Sequence, residues 1–211
     1  MTMDQRLHAP SVARNRQPIL DIIRPSLAAG GTVLEIAAGS GEHAVYLAPE
    51  LQAKTWQPSD LGPEALASIE AWRQHTDLTH TIHSPLPLDM TAAPAEVLSI
   101  LKQAEAPTSY DLITCINMIH ISPWEACQGL MKHAANLLKP AGLLFLYGPY
   151  IETARATAAS NLAFDESLKE RNPSWGVRKL EDVIELAQAQ GLTFLDAHPM
   201  PANNLSVFFS R

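Results

Sequence analysis

Two cysteines, Cys115 and Cys127, are too few for a disulfide framework, and their spacing matches no metal-ligand pattern. A basic stripe able to hold a phosphate backbone is missing as well. The nearest candidate, Arg6, Arg14 and Arg16, has no interleaved aromatics, and the net charge is −7. Nucleic acid is therefore not an expected partner. No apolar run approaches the ~18 residues of a membrane-spanning helix; the longest, such as Leu143 to Tyr147, are strand-sized. The N-terminus carries Asp4, Arg6 and Arg14 but no signal-peptide core, so the expected setting is cytoplasmic, without membrane contact. Gly/Ser linkers, internal repeats and low-complexity tracts are absent too. What is present, 211 residues of which 46% are hydrophobic and 18% charged, reads as a single packed domain that binds a small molecule. Its oligomeric state stays open between monomer and homodimer.

Short apolar runs alternate with helical patterns along the chain. Thr32 to Ile36 reads as a strand, followed by the small-residue turn Ala37 to Gly41 and a helix from Glu42 to Glu50. Thr55 to Gln57 is a second strand, Pro63 opens a helix, and Thr79 to His83 is expected as a third strand. A helix over Ala95 to Glu105 leads to Tyr110–Ile116, a near-continuous apolar run typical of a strand buried on both faces. Ser122-Pro123-Trp124-Glu125 has the pattern of an N-cap, a proline at the first helical position and an acidic first turn. A strand follows at Gly142 to Tyr147. Residues 148–178 then break the rhythm and read as a lid-like insertion, while about 1–30 read as an N-terminal cap containing a helix from Pro18 to Leu27. After a helix from Lys179 to Gln190 come two strands, Leu192 to Asp196 and Leu205 to Phe209. The eight residues between them are too few for a helical crossover, so they should pair antiparallel. The expected architecture is an α/β, doubly wound, mostly parallel sheet with a C-terminal antiparallel hairpin, the class I methyltransferase variant of the Rossmann-like fold.

Glu35-Ile36-Ala37-Ala38-Gly39-Ser40-Gly41-Glu42-His43 is the informative constellation. Glycines between a strand and a helix let the backbone approach a ligand and aim amides at it. Asp60 lies after the second strand, where a carboxylate can accept both hydroxyls of an adenosine ribose. Nicotinamide cofactors use the same two elements, and Gly39 to Ala44 satisfies the G-x-G-x-x-A form. Glu35, inside the first strand, and the terminal hairpin favour S-adenosylmethionine instead. Leu88-Asp89-Met90, after the third strand, is a further contact, placed to flank adenine.

On these motifs and others the chain resembles an uncharacterised family of class I methyltransferase-like proteins with bacterial and animal members. The shared blocks are Arg14-Asn15, Glu35 to Ala44, Trp56 to Asp60, Asn117 to Trp124, Tyr147 to Tyr150, Ser160-Asn161 with Phe164-Asp165, Arg171 to Arg178, and Met200 to Asn204. They run in order over essentially the whole chain. The resemblance implies the fold and S-adenosylmethionine as cofactor, and it supplies no acceptor. Glu35, Ala37, Gly39, Gly41, His43, Asp60, Asp89, Met90 and Asn117 form the expected cofactor set.

Blocks leaving the carboxyl ends of the strands are the expected acceptor site, because ligands of such sheets bind there. Its members are Arg14, Asn15, Met118, Tyr150, Asn161, Phe164, Arg171, Trp175, Arg178 and Asn203. Arginines beside amides and aromatics suit a small polar or anionic molecule. The competing assignment pairs Arg171 and Arg178 with Asp165 and Glu166 to pin the lid. His120 is the expected base, with Tyr150 as second candidate; the alternative is a histidine that only holds the turn before Ser122. His75, His80, His83 and His133 show no ligand pattern, and no metal is expected. Met118 and Ile119 stand where methyltransferases of exocyclic base amines carry prolines, which disfavours that chemistry. Two further readings compete: a non-catalytic module that binds S-adenosylmethionine or S-adenosylhomocysteine, and a nicotinamide-dependent oxidoreductase. The latter lacks a Tyr-x-x-x-Lys pair, since Tyr46, Tyr110, Tyr147 and Tyr150 are followed four residues on by Glu50, Thr114, Ile151 and Ala154.

Overall fold

The computed structural model describes residues 4–211. The apolar runs form β1 (Thr32–Ile36), β2 (Thr55–Pro58), β3 (Tyr110–Ile116), β4 (Leu138–Pro149), β5 (Thr193–Met200) and β6 (Asn204–Ser210). These strands make one sheet in the order β2-β1-β3-β4-β6-β5. The first four are mutually parallel, and β6 lies antiparallel between β4 and β5. This is the α/β arrangement with a C-terminal antiparallel hairpin expected from the sequence.

The helices are α1 (Pro10–Ile23), α2 (Glu42–Glu50), α3 (Pro63–His75), α4 (Pro94–Gln103), α5 (Trp124–Leu137), α6 (Ala159–Arg171) and α7 (Leu180–Ala189). Strand residues alternate between the faces of the sheet. Leu34, Ile36, Ile113, Leu144 and Leu146 therefore meet α4, α5 and α7, while Val33, Leu112, Phe145 and Tyr147 meet α1 and α2. None of the described helices is long and apolar enough to cross a membrane.

Several expectations need correction. The third strand does not form as a ladder: residues near Ile82 and Leu86 make only isolated parallel bridges to Trp56 and Ser59. Pro85 and Pro87 interrupt this segment, and proline cannot donate to a ladder. The N-terminal helix starts at Pro10 rather than Pro18, so Arg14 and Asn15 lie within it and not before it. Its buried positions, Val12, Asn15, Ile19, Leu20 and Ile23, keep helical spacing straight through Pro18. The 148–178 region is not wholly irregular, because α6 occupies much of it. Ser122 does not cap α5: its hydroxyl donates to the Met118 carbonyl at 2.7 Å, and Pro123 takes the cap position. The hairpin connection is also shorter than the sequence suggested, with Met200 already paired to Asn204.

β1 to β4 end at the same edge where β6 begins, since Pro149 pairs with Asn204. Four non-glycine residues there adopt left-handed backbone: Ala37 (φ 54°) leaving β1, Asn117 (φ 64°) leaving β3, and Ala202 and Asn203 (φ 58° each) in the hairpin turn. Such backbone costs an L-residue roughly 1–2 kcal/mol and recurs at ligand sites.

Candidate functional site

The loop after β1 is held by its neighbours at both ends. The Ser59 amide and hydroxyl both donate to the Glu35 carbonyl at 2.8 Å, and the Ala38 amide donates to the Ser59 carbonyl at 2.9 Å. Asp60 then binds two turns at once: Oδ2 accepts from the Gly39 amide and Oδ1 from the Gly62 amide, each at 2.9 Å. Gly41 sits at φ 86°, and a Cβ there would fall 2.8 Å from the Ile69 Cα, so the α2–α3 contact requires glycine. Glu35 itself is buried behind the loop, accepting from the Trp56 indole at 2.8 Å. Burial pushes its carboxyl up to about 8, with the indole hydrogen bond opposing and Asp60 adding to the shift.

A cavity of about 340 Å³ opens in front of this loop. Ala37 and Asp60 line it from β1 and β2, Asp89 and Met90 from the segment before α4, and Met118 and Ile121 from the turn after β3. Asp89 is fixed by accepting from the Thr91 amide (2.7 Å) and hydroxyl (2.8 Å). Leu61 (59% exposed) and Ile121 (38% exposed) are large apolar side chains left in solvent, and both line this cavity. Apolar walls with a few placed polar groups are the usual make-up of a small-molecule site.

A second cavity of about 350 Å³ lies at the same edge, lined by Arg14, Asn15, Asn117, Tyr147, Asn161, Phe164 and Asn204, among others. Asn15 is buried within α1, and its Oδ1 accepts from His43 Nε2 at 2.9 Å. Burial holds His43 down to about 4, so it is a neutral strut joining α1 to the start of α2, just after the loop that leaves β1. On the far side Asn161 donates to the Asn203 carbonyl (2.9 Å) and Asn203 to Ser160 Oγ (3.0 Å), docking α6 on the hairpin turn.

The remaining candidates lie elsewhere. His120 is fully buried and lines neither cavity. Its Nδ1 accepts from the Arg178 amide at 3.3 Å, its Nε2 has no partner, and its ring meets Tyr150 edge-on at 5.1 Å. Burial, with Arg178 adding, drives its imidazole down to about 3. Tyr150 reaches only a smaller neighbouring cavity of about 190 Å³ beside Asn203, and burial raises its phenol well above the ordinary value. Arg178 lines neither of the two cavities described above and is not paired with Asp165 or Glu166. It donates to the carbonyls of Ile119 (2.8 Å), Ser122 (2.6 Å) and Ser174 (3.1 Å) and lies over Trp124. Asp165 instead binds Lys169 at 2.5 Å and the Val177 amide at 2.9 Å. Arg171 stacks on Trp175 at 5.4 Å, with both outside the two cavities.

Three contributors were not anticipated. Leu61 and Ile121 adjoin residues already chosen, and only their exposure marks them. Gly129, inside α5, packs so tightly under Met90 that an added Cβ would fall 1.6 Å from the Met90 carbonyl oxygen. A glycine inside a helix is the signal that could have found it, because it costs ~1 kcal/mol relative to alanine. The segment before α1 is the third: the Ala9 amide donates to Glu42 (2.6 Å), the Leu7 amide to Ser68, and Trp72 to the Leu7 carbonyl.

Solved structures share this fold. The chain matches an O-methyltransferase family protein from Burkholderia thailandensis with a TM-score of 0.75 at 18% identity, covering 95% of this chain and 57% of that one. It matches an O-methyltransferase family 2 protein from Planctomyces limnophilus, in complex with apigenin, with a TM-score of 0.71 at 17% identity, covering 95% and 60%. It also matches the S-adenosylmethionine-dependent methyltransferase SibL with a TM-score of 0.73 at 16% identity, covering 95% and 55%. The chain thus spans a little over half the length of these proteins, and at such identity the likeness is one of fold. A family model described as "Protein of unknown function (DUF938)" matches residues 6–211. With nearly its whole length in that match and the class I methyltransferase fold in its sheet, the chain belongs to the DUF938 family.

Proposed function

We propose that this protein binds S-adenosylmethionine in the cavity beside Asp60 and transfers its methyl group to a small-molecule acceptor in the cavity beside Asn117. The observation that carries the reading is one cavity that gathers Ala37, Asp60, Asp89, Met90 and Met118 at the carboxyl edge of the sheet. The residues fit an adenosine. Asp60 spends one lone pair of each oxygen on loop amides and keeps the others to accept ribose hydroxyls. Leu61, Met118 and Ile121 supply apolar walls for a purine, and burying them offsets their exposure to water. When bound, S-adenosylmethionine supplies a sulfonium methyl that is already a strong electrophile.

The protein's own work is then to orient two molecules and exclude water. The loop from Ala37 to Gly41, pinned by Asp60 and Ser59, fixes the donor. Asn117, which precedes Met118 and lines the second cavity, stands where the two spaces meet in sequence. His120 and Tyr150, sealed beneath the turn after β3, hold that turn and do not present a base to the two large cavities. An acceptor that enters already deprotonated, a thiolate or a free amine with its proton lost to solvent, needs no protein base and suits such a site. The burial of these two groups also favours a second reading, a cofactor-binding module without turnover. Methyl transfer to any member of a thiol, amine, hydroxyl and carboxylate panel separates the two.

Equilibrium binding of S-adenosylhomocysteine tests the assignment. Asp60→Ala is expected to weaken binding at least ~tenfold, the scale of a lost charge-assisted hydrogen bond. Asp60→Asn, which keeps an acceptor for one loop amide, controls for collapse of the turn. Unchanged affinity in both variants overturns the placement.

A further inference from the structure

Arg14 differs from every other arginine among the described residues. Arg6, Arg24, Arg73 and Arg155 pair with carboxylates. Arg16 and Arg171 stack on Tyr46 and Trp175, and Arg178 and Arg211 donate to backbone carbonyls. Arg14 has neither an ion pair nor a hydrogen bond, and it stands on the wall of the second cavity. Among the described residues no aspartate or glutamate lines that cavity; its other polar side chains are all neutral, asparagines and serines with Tyr147. Opposite them Phe164 and Ala202 make an apolar surface. An exposed guanidinium with no protein partner, beside neutral amides and an aromatic ring, has the chemistry to receive an anion with a flat apolar body. A guanidinium fork matches a carboxylate in two parallel hydrogen bonds, which an amide cannot reproduce.

We infer that the second cavity takes a small carboxylic acid, its carboxylate on Arg14 and its apolar body against Phe164, and that Arg14 sets the charge selectivity of the acceptor. This rests on the reading of the neighbouring cavity as the cofactor site. The carboxylate could also come from the amino-acid end of the cofactor. Of the two cavities, Asp60, Asp89 and Met90 line only the other, and comparison with methylthioadenosine, which lacks that carboxylate, distinguishes the two sources.

Benzoate and its neutral isostere benzamide are the probes, titrated into protein saturated with S-adenosylhomocysteine and followed by ligand-observed NMR. Wild-type protein is expected to prefer benzoate by ~tenfold, the worth of one charge-assisted pair. Arg14→Gln abolishes that preference and leaves S-adenosylhomocysteine affinity unchanged. Arg16→Gln, two residues away and outside the cavity, keeps it. Equal binding of the two probes by wild-type protein, or a preference that survives Arg14→Gln, overturns the inference. So does an Arg14→Gln protein that loses S-adenosylhomocysteine yet keeps methylthioadenosine, because the arginine then serves the cofactor's carboxylate. Repeating the benzoate titration without S-adenosylhomocysteine keeps the two claims separate. If wild-type protein fails to bind the cofactor product but still discriminates the probes through Arg14, the cofactor reading falls and the anion site stands.

Discussion

The two cavities at the carboxyl edge of the sheet are almost equal in volume, about 340 and 350 Å³, but they are assembled differently. The first is built mainly from short segments that follow β1, β2 and β3, joined by the segment before α4 and the first turn of α5. The second adds α1, α6 and the hairpin turn to the strand ends at Asn117 and Tyr147, and those three elements meet only through tertiary packing. The difference also shows in how each is held. Backbone amides and one carboxylate pin the first, whereas side-chain amides, Asn15 on His43 and Asn161 on the Asn203 carbonyl, tie the second. The first cavity is thus fixed largely by local backbone geometry, and the second by contacts between side chains distant in sequence.

The sharpest way to break this comparison is to attack the first cavity from behind. Gly129→Ala drives a methyl group into the Met90 carbonyl, so the protein should lose ~3 kcal/mol or more of stability and much of its S-adenosylhomocysteine affinity. Chemical denaturation and calorimetry read the two effects; a variant with wild-type values in both contradicts the packing described. Arg178→Ala should cost ~2–3 kcal/mol, because it releases carbonyls of the turn after β3 that a charged donor now satisfies. Benzoate binding by the folded variant should persist. Loss of that binding without loss of stability would return Arg178 to the acceptor site.

The smallest expected effect concerns Glu35 and appears only as a pH dependence. Its folded-state carboxyl titrates near 8 against an ordinary value of 4.5. Its contribution to stability is therefore fully present below the ordinary value and is lost as pH rises toward 8. Glu35→Gln stays neutral, so the variant should gain on wild type by at least ~1 kcal/mol between about pH 5 and pH 8. His43 and His120, both depressed, lose their contribution as pH falls instead, and they cancel in the difference. A difference that stays flat with pH would mean that Glu35 is ionised in the folded protein.

The alternation of strands and helices, the terminal hairpin and the position of Asp60 are legible in the sequence, because each follows from periodicity, from a connection length or from a residue beside a strand end. The expected third strand at Thr79 to His83 has a single aliphatic residue, Ile82, and the prolines that follow it, Pro85 and Pro87, limit the segment to isolated bridges. Arg178 was legible as a lid residue but not as a clamp on the carbonyls of Ile119 and Ser122. Those partners lie 56 to 59 residues away, and no local pattern reports such a contact. His120 was chosen for its residue type at a strand end; its burial depends on Gly148, Gly176 and Tyr150 closing over it from other elements.

The most direct measurement is a crystal structure of the protein grown with S-adenosylhomocysteine. The expected density puts the adenosine in the cavity of Leu61 and Met90, with the ribose hydroxyls on Asp60 and the sulfur toward Asn117. Adenosine density elsewhere on the protein, or an unfilled first cavity in protein saturated with the ligand, would contradict the assignment of this edge of the sheet as a methyl-transfer site.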